Sequence, residues 1–282
     1  MKKIGFIDYY LDEWHANNYP EFIKNQGNGD FEVAYAWAKI DSPLPDGLTS
    51  KEWSETYNIP VLETIEEVIE KSDYLIVLSP DNPEMHEELC KLPLESGKNT
   101  YIDKTFAPDA ETAKRIFAHA EKFGTKCYSS SALFYAQEYQ DIKKEGLCVI
   151  ESIGPGTFEM YSIHQIEPIV KLMGTGCKKR IMSIGTTDFP AMLMEYEDGR
   201  QVRFSNFPHG TPFYMNFGYS NNKAANAKVS SDFFSECIKN MLKFFETGVI
   251  PVPSSNTVEV IAIREAGLKA LDKPFTWVDI TY

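Results

Sequence analysis

The sequence predicts an α/β chain of two domains. Residues 1–130 read as a parallel sheet wrapped by helices, and residues 131–282 as an α+β domain with a mostly antiparallel, open sheet. Three observations carry this. Short apolar runs alternate with amphipathic helical stretches up to about residue 130, the pattern of a parallel sheet covered on both faces. From Cys148 to about Ser220 the texture changes to strand-like runs separated by turn signals. The length, 282 residues, suits two domains of ordinary size.

Taken in order, Lys3 to Asp8 is a short buried strand with Ile4, Phe6 and Ile7 apolar, and Phe31 to Ala38 is a second. Glu13 to Asn25 between them reads as a helix, so the three make a βαβ unit. Thr64 caps a helix with Ile65, Val68 and Ile69 at i, i+3 and i+4, ended by Ser72-Asp73. Tyr74 to Leu78 (YLIVL) is an unbroken apolar run, expected of a strand covered on both faces. The turn Pro80-Asp81-Asn82-Pro83 leads to a helix from Glu84 to about Leu92, then to a strand from Asn99 to Ile102. Asp109 caps a helix carrying Ala113, Ile116, Phe117 and Ala120, and Gly124 stops it before a strand from Thr125 to Ser129.

In the second half, Met192–Tyr196 and Gln201–Phe204 flank Glu197-Asp198-Gly199-Arg200, a hairpin signature. A helix from about Ile166 to Met173 has Pro168 in its first turn and Gly174 as its stop. A long helix bears Phe234, Ile238, Met241, Leu242 and Phe245. A last helix covers about Thr257 to Leu271, and Thr276 to Ile280 closes as a strand. That last helix and strand could pack back on the first domain.

The formal net charge is −13. An acidic surface repels nucleic-acid phosphates and anionic lipid, so neither is an expected partner. Five cysteines at wide spacing, with no C-x-x-C, argue against a disulfide framework or zinc site and suit a reducing cytoplasm. No apolar run reaches the ~18 residues that would span a bilayer.

The segment Ser79-Pro80-Asp81-Asn82-Pro83-Glu84-Met85-His86 precedes Gly97-Lys98-Asn99-Thr100-Tyr101-Ile102-Asp103-Lys104-Thr105. Here the chain resembles the glucose-fructose oxidoreductase/inositol dehydrogenase/MocA family. Members carry a T-P-N-x-x-H-like turn after the fourth strand and G-K-h-V-x-x-E-K-P after the fifth. Asp103-Lys104-Thr105 stands in the register of E-K-P. Ala120-Glu121-Lys122-Phe123-Gly124 and Thr276-Trp277-Val278-Asp279-Ile280 extend the likeness over nearly the whole chain. The resemblance implies a Rossmann-type first domain, NAD or NADP as cofactor, hydride transfer on a sugar, inositol or related polyol, and a homodimer or higher homo-oligomer.

It also implies roles for particular residues. Lys104 would reach the nicotinamide and the reacting carbon; at the carboxyl end of a parallel strand it can stabilise developing alkoxide charge. His164 stands in the register of D-x-G-x-H-x-x-D leading into a helix, and imidazole suits proton transfer from a hydroxyl near neutral pH. Glu167 takes the place of the final acid, whereas Met160 replaces the first and leaves His164 without its usual partner. Tyr161 and His209 are further candidates for the substrate. Asp8, Tyr10, Ser79, Pro80, His86 and Asp103 occupy the cofactor positions, with His86 also readable as structural.

The dinucleotide fingerprint departs from the family. G-x-G-x-x-G becomes Asp8-Tyr9-Tyr10-Leu11-Asp12-Glu13, with no glycine left. Those glycines permit a tight turn and close approach of backbone to a pyrophosphate at a helix N-terminus. Two readings stand side by side: an oxidoreductase with Lys104 and His164 at the chemistry, and a relative that has lost catalysis and serves as a ligand-binding or accessory protein.

Overall fold

The computed structural model describes residues 1–186 and 188–282. The chain divides into two compact units. The first comprises Met1–Pro108, Thr112–Ser130 and Cys237–Pro253, and the second Asp109–Glu111, Ser131–Glu236 and Ser254–Tyr282.

The first unit opens with β1 (Lys2–Asp8), α1 (Trp14–Gln26) and β2 (Phe31–Ala38). Next come α2 (Ser50–Tyr57), α3 (Ile65–Lys71) and β3 (Tyr74–Val77). α2 was not expected from the sequence. A capping box between Thr49 and Glu52 starts it, and its one buried residue, Trp53, supplies no periodic stripe to read. The helix expected from Glu84 to Leu92 is instead a 3-10 turn (Pro83–Met85) followed by α4 (His86–Leu89) and α5 (Lys91–Glu95). Pro93 brings no N–H to the Leu89 carbonyl, which removes a bond that would have joined the two short helices. β4 (Thr100–Ile102), α6 (Ala110–Phe123) and β5 (Cys127–Tyr128) follow.

The five strands are parallel in the order β2-β1-β3-β4-β5. Leu75, Ile76 and Val77 are fully buried, as the unbroken apolar run of β3 requires. α3 lies so close to β1 that a Cβ on Gly5 would stand 2.4 Å from Val68 Cγ1, so only glycine fits.

The second unit contributes a 3-10 turn (Ala132–Tyr135), α7 (Gln137–Gln140), β6 (Leu147–Pro155) and α8 (Phe158–Met173). Then come β7 (Lys179–Ser183), β8 (Ala191–Tyr196), β9 (Gln201–Phe207), β10 (Tyr214–Tyr219) and β11 (Ala224–Lys228). After α9 (Phe233–Thr247) the chain ends in α10 (Ser254–Leu271) and β12 (Val278–Ile280). Most of α9 belongs to the first unit, where Phe245 stacks on Tyr74 at 4.9 Å between ring centroids. α10 and β12 belong to the second.

The seven strands run β11-β10-β6-β9-β8-β7-β12, antiparallel except for β6 with β9. β8 and β9 form the expected hairpin, with Gly199 at φ 90° in the turn. α8 starts about two turns earlier than the sequence suggested. Thr157 caps it by accepting from Met160 N–H. Pro168 therefore sits inside the helix rather than in its first turn, and brings no N–H to the His164 carbonyl.

Candidate functional site

In an open parallel sheet, ligands bind beyond the carboxyl ends of the strands where the order reverses. In the first unit that point lies between β1 and β3. Asp8 ends β1, Ser79 and Pro80 follow β3, and Asp103 and Lys104 follow β4. Each of these five was selected from the sequence, and all five are buried.

The loop from Asp8 into α1 is built from acids. Glu13 is the N-cap of α1, and its carboxylate accepts from His15 N–H at 2.7 Å and from Ala16 N–H. The same carboxylate lies 3.0 Å from His15 Nδ1, whose other neighbour is Asp103 Oδ2 at 3.6 Å. Asp103 Oδ1 accepts from Tyr101 at 3.2 Å and Tyr19 at 3.4 Å. Asp12 accepts from Leu48 N–H at 2.9 Å and so ties down the segment before α2. Asp8 Oδ1 accepts from Tyr9 N–H at 2.7 Å, while Oδ2 is buried and has no hydrogen-bond partner among the described residues.

Burial, and then the Glu13 and Asp103 carboxylates, push Asp8 well above the usual carboxylate range. A raised carboxylate favours the protonated fold. Its contribution to stability is present below the unfolded value near 3.8 and is lost as pH rises through the folded value. Asp8→Asn, which keeps the shape without the charge, is expected to abolish that loss. Urea unfolding of both proteins from pH 4 to pH 8 checks this: the variant should gain on the parent as pH rises.

These residues do not fit a dinucleotide in the usual pose. The N–H groups that would hold its pyrophosphate are taken by Glu13, and no glycine gives the phosphates access to the backbone. Tyr10 stands in the middle of the fingerprint, its hydroxyl pushed up to about 12 by burial and the surrounding acids.

His86 has a structural position rather than the expected cofactor one. It is fully buried, with Nδ1 3.0 Å from the Phe106 carbonyl and Nε2 on the Leu78 carbonyl, so neither nitrogen is turned toward a ligand. Ser79 adopts φ 83° and donates to the Asn82 carbonyl at 3.0 Å, which shapes the turn after β3. Lys104 is only 9% exposed, and its ammonium has no hydrogen bond or ion pair among the described residues. An ammonium on a largely buried stem, lacking a protein acceptor, suits an oxygen-rich ligand.

In the second unit, His164 lies in the second turn of α8 rather than at a helix entrance. Its Nδ1 is 2.6 Å from Ser131 Oγ. Glu167, one turn on, accepts from Ser131 N–H at 2.6 Å; this expected substrate residue thus holds the chain at Ser131. Tyr161 meets the His164 ring edge-on at 5.3 Å and the exposed His209 ring at 5.0 Å, and Phe213 meets His164 at 6.0 Å. Gly156, at φ 78°, makes room for this cluster: a Cβ there would lie 2.4 Å from the Tyr161 ring.

The structure therefore brings His164, Glu167, Tyr161 and His209 into one cluster, and Asp8 and Asp103 into another. Sequence reasoning missed Ser131 and His15. His15 follows Glu13 by two residues and could have been read as its partner. Ser131 is 33 residues from His164 and carries no local signal.

A parallel sheet of order β2-β1-β3-β4-β5 joined to a mixed seven-stranded sheet defines a two-unit Rossmann-type protein. Residues 44–131 match the family model described as oxidoreductase family, NAD-binding Rossmann fold. The match begins after the acid-rich loop. Among solved structures, a probable dehydrogenase from Thermotoga maritima aligns with TM-score 0.81 at 13% identity, covering 99% of this chain and 98% of that one. Scyllo-inositol dehydrogenase from Lactobacillus casei aligns with TM-score 0.77 at 14% identity, over 99% and 98%. GenD2 from gentamicin A biosynthesis, in complex with NAD, aligns with TM-score 0.78 at 12% identity, over 100% and 97%. No curated protein matches. The resemblance to the glucose-fructose oxidoreductase/inositol dehydrogenase/MocA family therefore holds over residues 44–131, and the fold is shared with these solved structures over the full length. No described helix is long and apolar enough to cross a membrane.

Proposed function

We propose that this chain binds a sugar-like polyol, with Lys104 in the first unit and His164 in the second each a separate candidate contact, and does so without a dinucleotide in the usual seat. The observation that carries this is the Glu13 carboxylate on the first turn of α1, which occupies the N–H groups a pyrophosphate would need. Lys104 supports the polyol: its side chain is largely buried at a strand end, and an ammonium without a protein acceptor gains a charge-assisted hydrogen bond to a ligand hydroxyl. His164, Tyr161 and His209 supply polar atoms and aromatic surface of the kind that holds a sugar ring. On this reading the protein is a binding or accessory relative of the oxidoreductases, and a homo-oligomer working in the cytoplasm.

A second reading is NAD(P)-dependent oxidation of the same polyol. The match of residues 44–131 to an NAD-binding family favours it, and GenD2 was solved with NAD. Calorimetric titration with myo-inositol, scyllo-inositol, glucose, NADH and NADPH separates the two. Heat with a polyol and none with either nucleotide supports the first. Micromolar binding of NADH or NADPH overturns the closed seat and restores the second. Lys104→Gln is expected to weaken the polyol roughly tenfold to a hundredfold, the worth of a hydrogen bond to a charged group; unchanged affinity removes Lys104 from the site.

A further inference from the structure

We infer that Ser131 holds His164 as the Nε2–H tautomer, so that the imidazole presents a proton donor, and not a base, to a ligand oxygen. The use of that donor by a polyol rests on the proposed function; the tautomer does not.

The reasoning starts from the hydroxyl. Ser131 is fully buried, so water cannot serve its Oγ. Among the described residues, Oγ has two neighbours: Leu133 N–H, which donates to it at 3.3 Å, and His164 Nδ1 at 2.6 Å. Leu133 uses a lone pair of the oxygen and leaves the hydroxyl proton in need of an acceptor. Nδ1 of His164 is the acceptor within reach. Were the bond reversed, with Nδ1–H donating, the Ser131 proton would be buried and unsatisfied, which folded proteins avoid. Ser131 therefore donates, Nδ1 carries the lone pair, and the neutral ring has its proton on Nε2.

The geometry is fixed from both sides. Glu167 takes the Ser131 N–H, so the residue that orients His164 is itself held one turn further along α8. Tyr161 and Phe213 meet the ring edge-on and set its plane.

This differs in kind from an acid partner. A carboxylate beside Nδ1 accepts a hydrogen bond from Nδ1–H and so leaves Nε2 as the base. Met160 fills that sequence position here, and a hydroxyl donor reaches Nδ1 from elsewhere in the chain. A neutral His164 so held cannot take a proton at Nε2. It can donate to a hydroxyl, carbonyl or carboxylate oxygen. Ser131 is a positioning residue, acting through His164.

Long-range nitrogen–proton NMR of the histidine-labelled protein tests this, with His164 assigned by the signal lost in His164→Gln. At a pH where the ring is neutral, Nδ1 should resonate as an unprotonated nitrogen and Nε2 as a protonated one, the Nε2–H form in about tenfold excess or more. Ser131→Ala should bring the two forms toward equal population, and Ser131→Thr should restore the parent spectrum. A protonated Nδ1 in the parent protein, or an unchanged tautomer in Ser131→Ala, overturns the inference. A correct tautomer in a protein that binds no polyol would uphold it while removing the proposed function.

Discussion

Placing glycine at positions 8, 10 and 13 is expected to raise the affinity for ADP. The loop in question runs Asp8-Tyr9-Tyr10-Leu11-Asp12-Glu13, and Glu13 caps α1 through His15 N–H and Ala16 N–H. Those donors and the positive end of the helix dipole would attract a phosphate if the carboxylate were absent. At ~5 Å and an effective dielectric near 20, one like-charge pair costs about 3 kcal/mol, or roughly a hundredfold in affinity. The triple variant Asp8→Gly/Tyr10→Gly/Glu13→Gly removes that repulsion together with the side chains that keep phosphate from the backbone. Calorimetry with ADP should show binding at least roughly a hundredfold tighter than to the parent, with secondary structure preserved by circular dichroism. A folded variant with no gain would mean that the seat is closed by something other than these side chains.

Glu259→Gln is expected to cost the second unit about 3–5 kcal/mol, the range for leaving a buried charge without its partner. Glu259 on α10 is fully buried and pairs with Lys179 Nζ on β7 at 2.5 Å. It also accepts from Gly176 N–H at 2.8 Å and from the Tyr282 hydroxyl. The Lys179 ammonium lies over the rings of Tyr196 and Tyr282 and donates to the Cys177 carbonyl at 2.7 Å. The pair thus ties α10, β7 and the final residue together. Neutralising the acid strands an ammonium whose side chain is 1% exposed. Urea unfolding measures the loss. Lys179→Met/Glu259→Leu should recover most of it, because neither charge then remains to be desolvated. Equal losses in the single and double variants would mean that Glu259 matters through its packing and its bonds to Gly176 and Tyr282, and not through the ion pair.

Much of the fold was legible in the sequence because it rests on local periodicity. The apolar runs at Ile4–Ile7 and Leu75–Leu78 could be buried only between helix layers. The Glu197-Asp198-Gly199-Arg200 turn between alternating strands announced the β8–β9 hairpin. The misreadings have local causes too. Pro168 reads as a first-turn residue but lies inside α8, and the stretch that reads as one helix around Pro93 is α4 and α5. α2 buries Trp53 alone, so it had no stripe to see.

The candidate site divides in the same way. Lys104, Asp103 and Ser79 could be chosen from the sequence, since strand ends are ligand positions in a parallel sheet whatever its details. Loss of the three fingerprint glycines was equally plain. The sequence by itself determined the parallel sheet and hairpin, the resemblance, and the acid-rich loop where the fingerprint glycines would stand. Only the tertiary structure decided that Glu13 takes the first free N–H groups of α1, that His15 lies between two carboxylates, and that Ser131 meets His164. The physical reason is range. Periodicity and caps act over a few residues, whereas the partner of a buried proton or charge is chosen by which distant side chains the fold brings within about 3 Å.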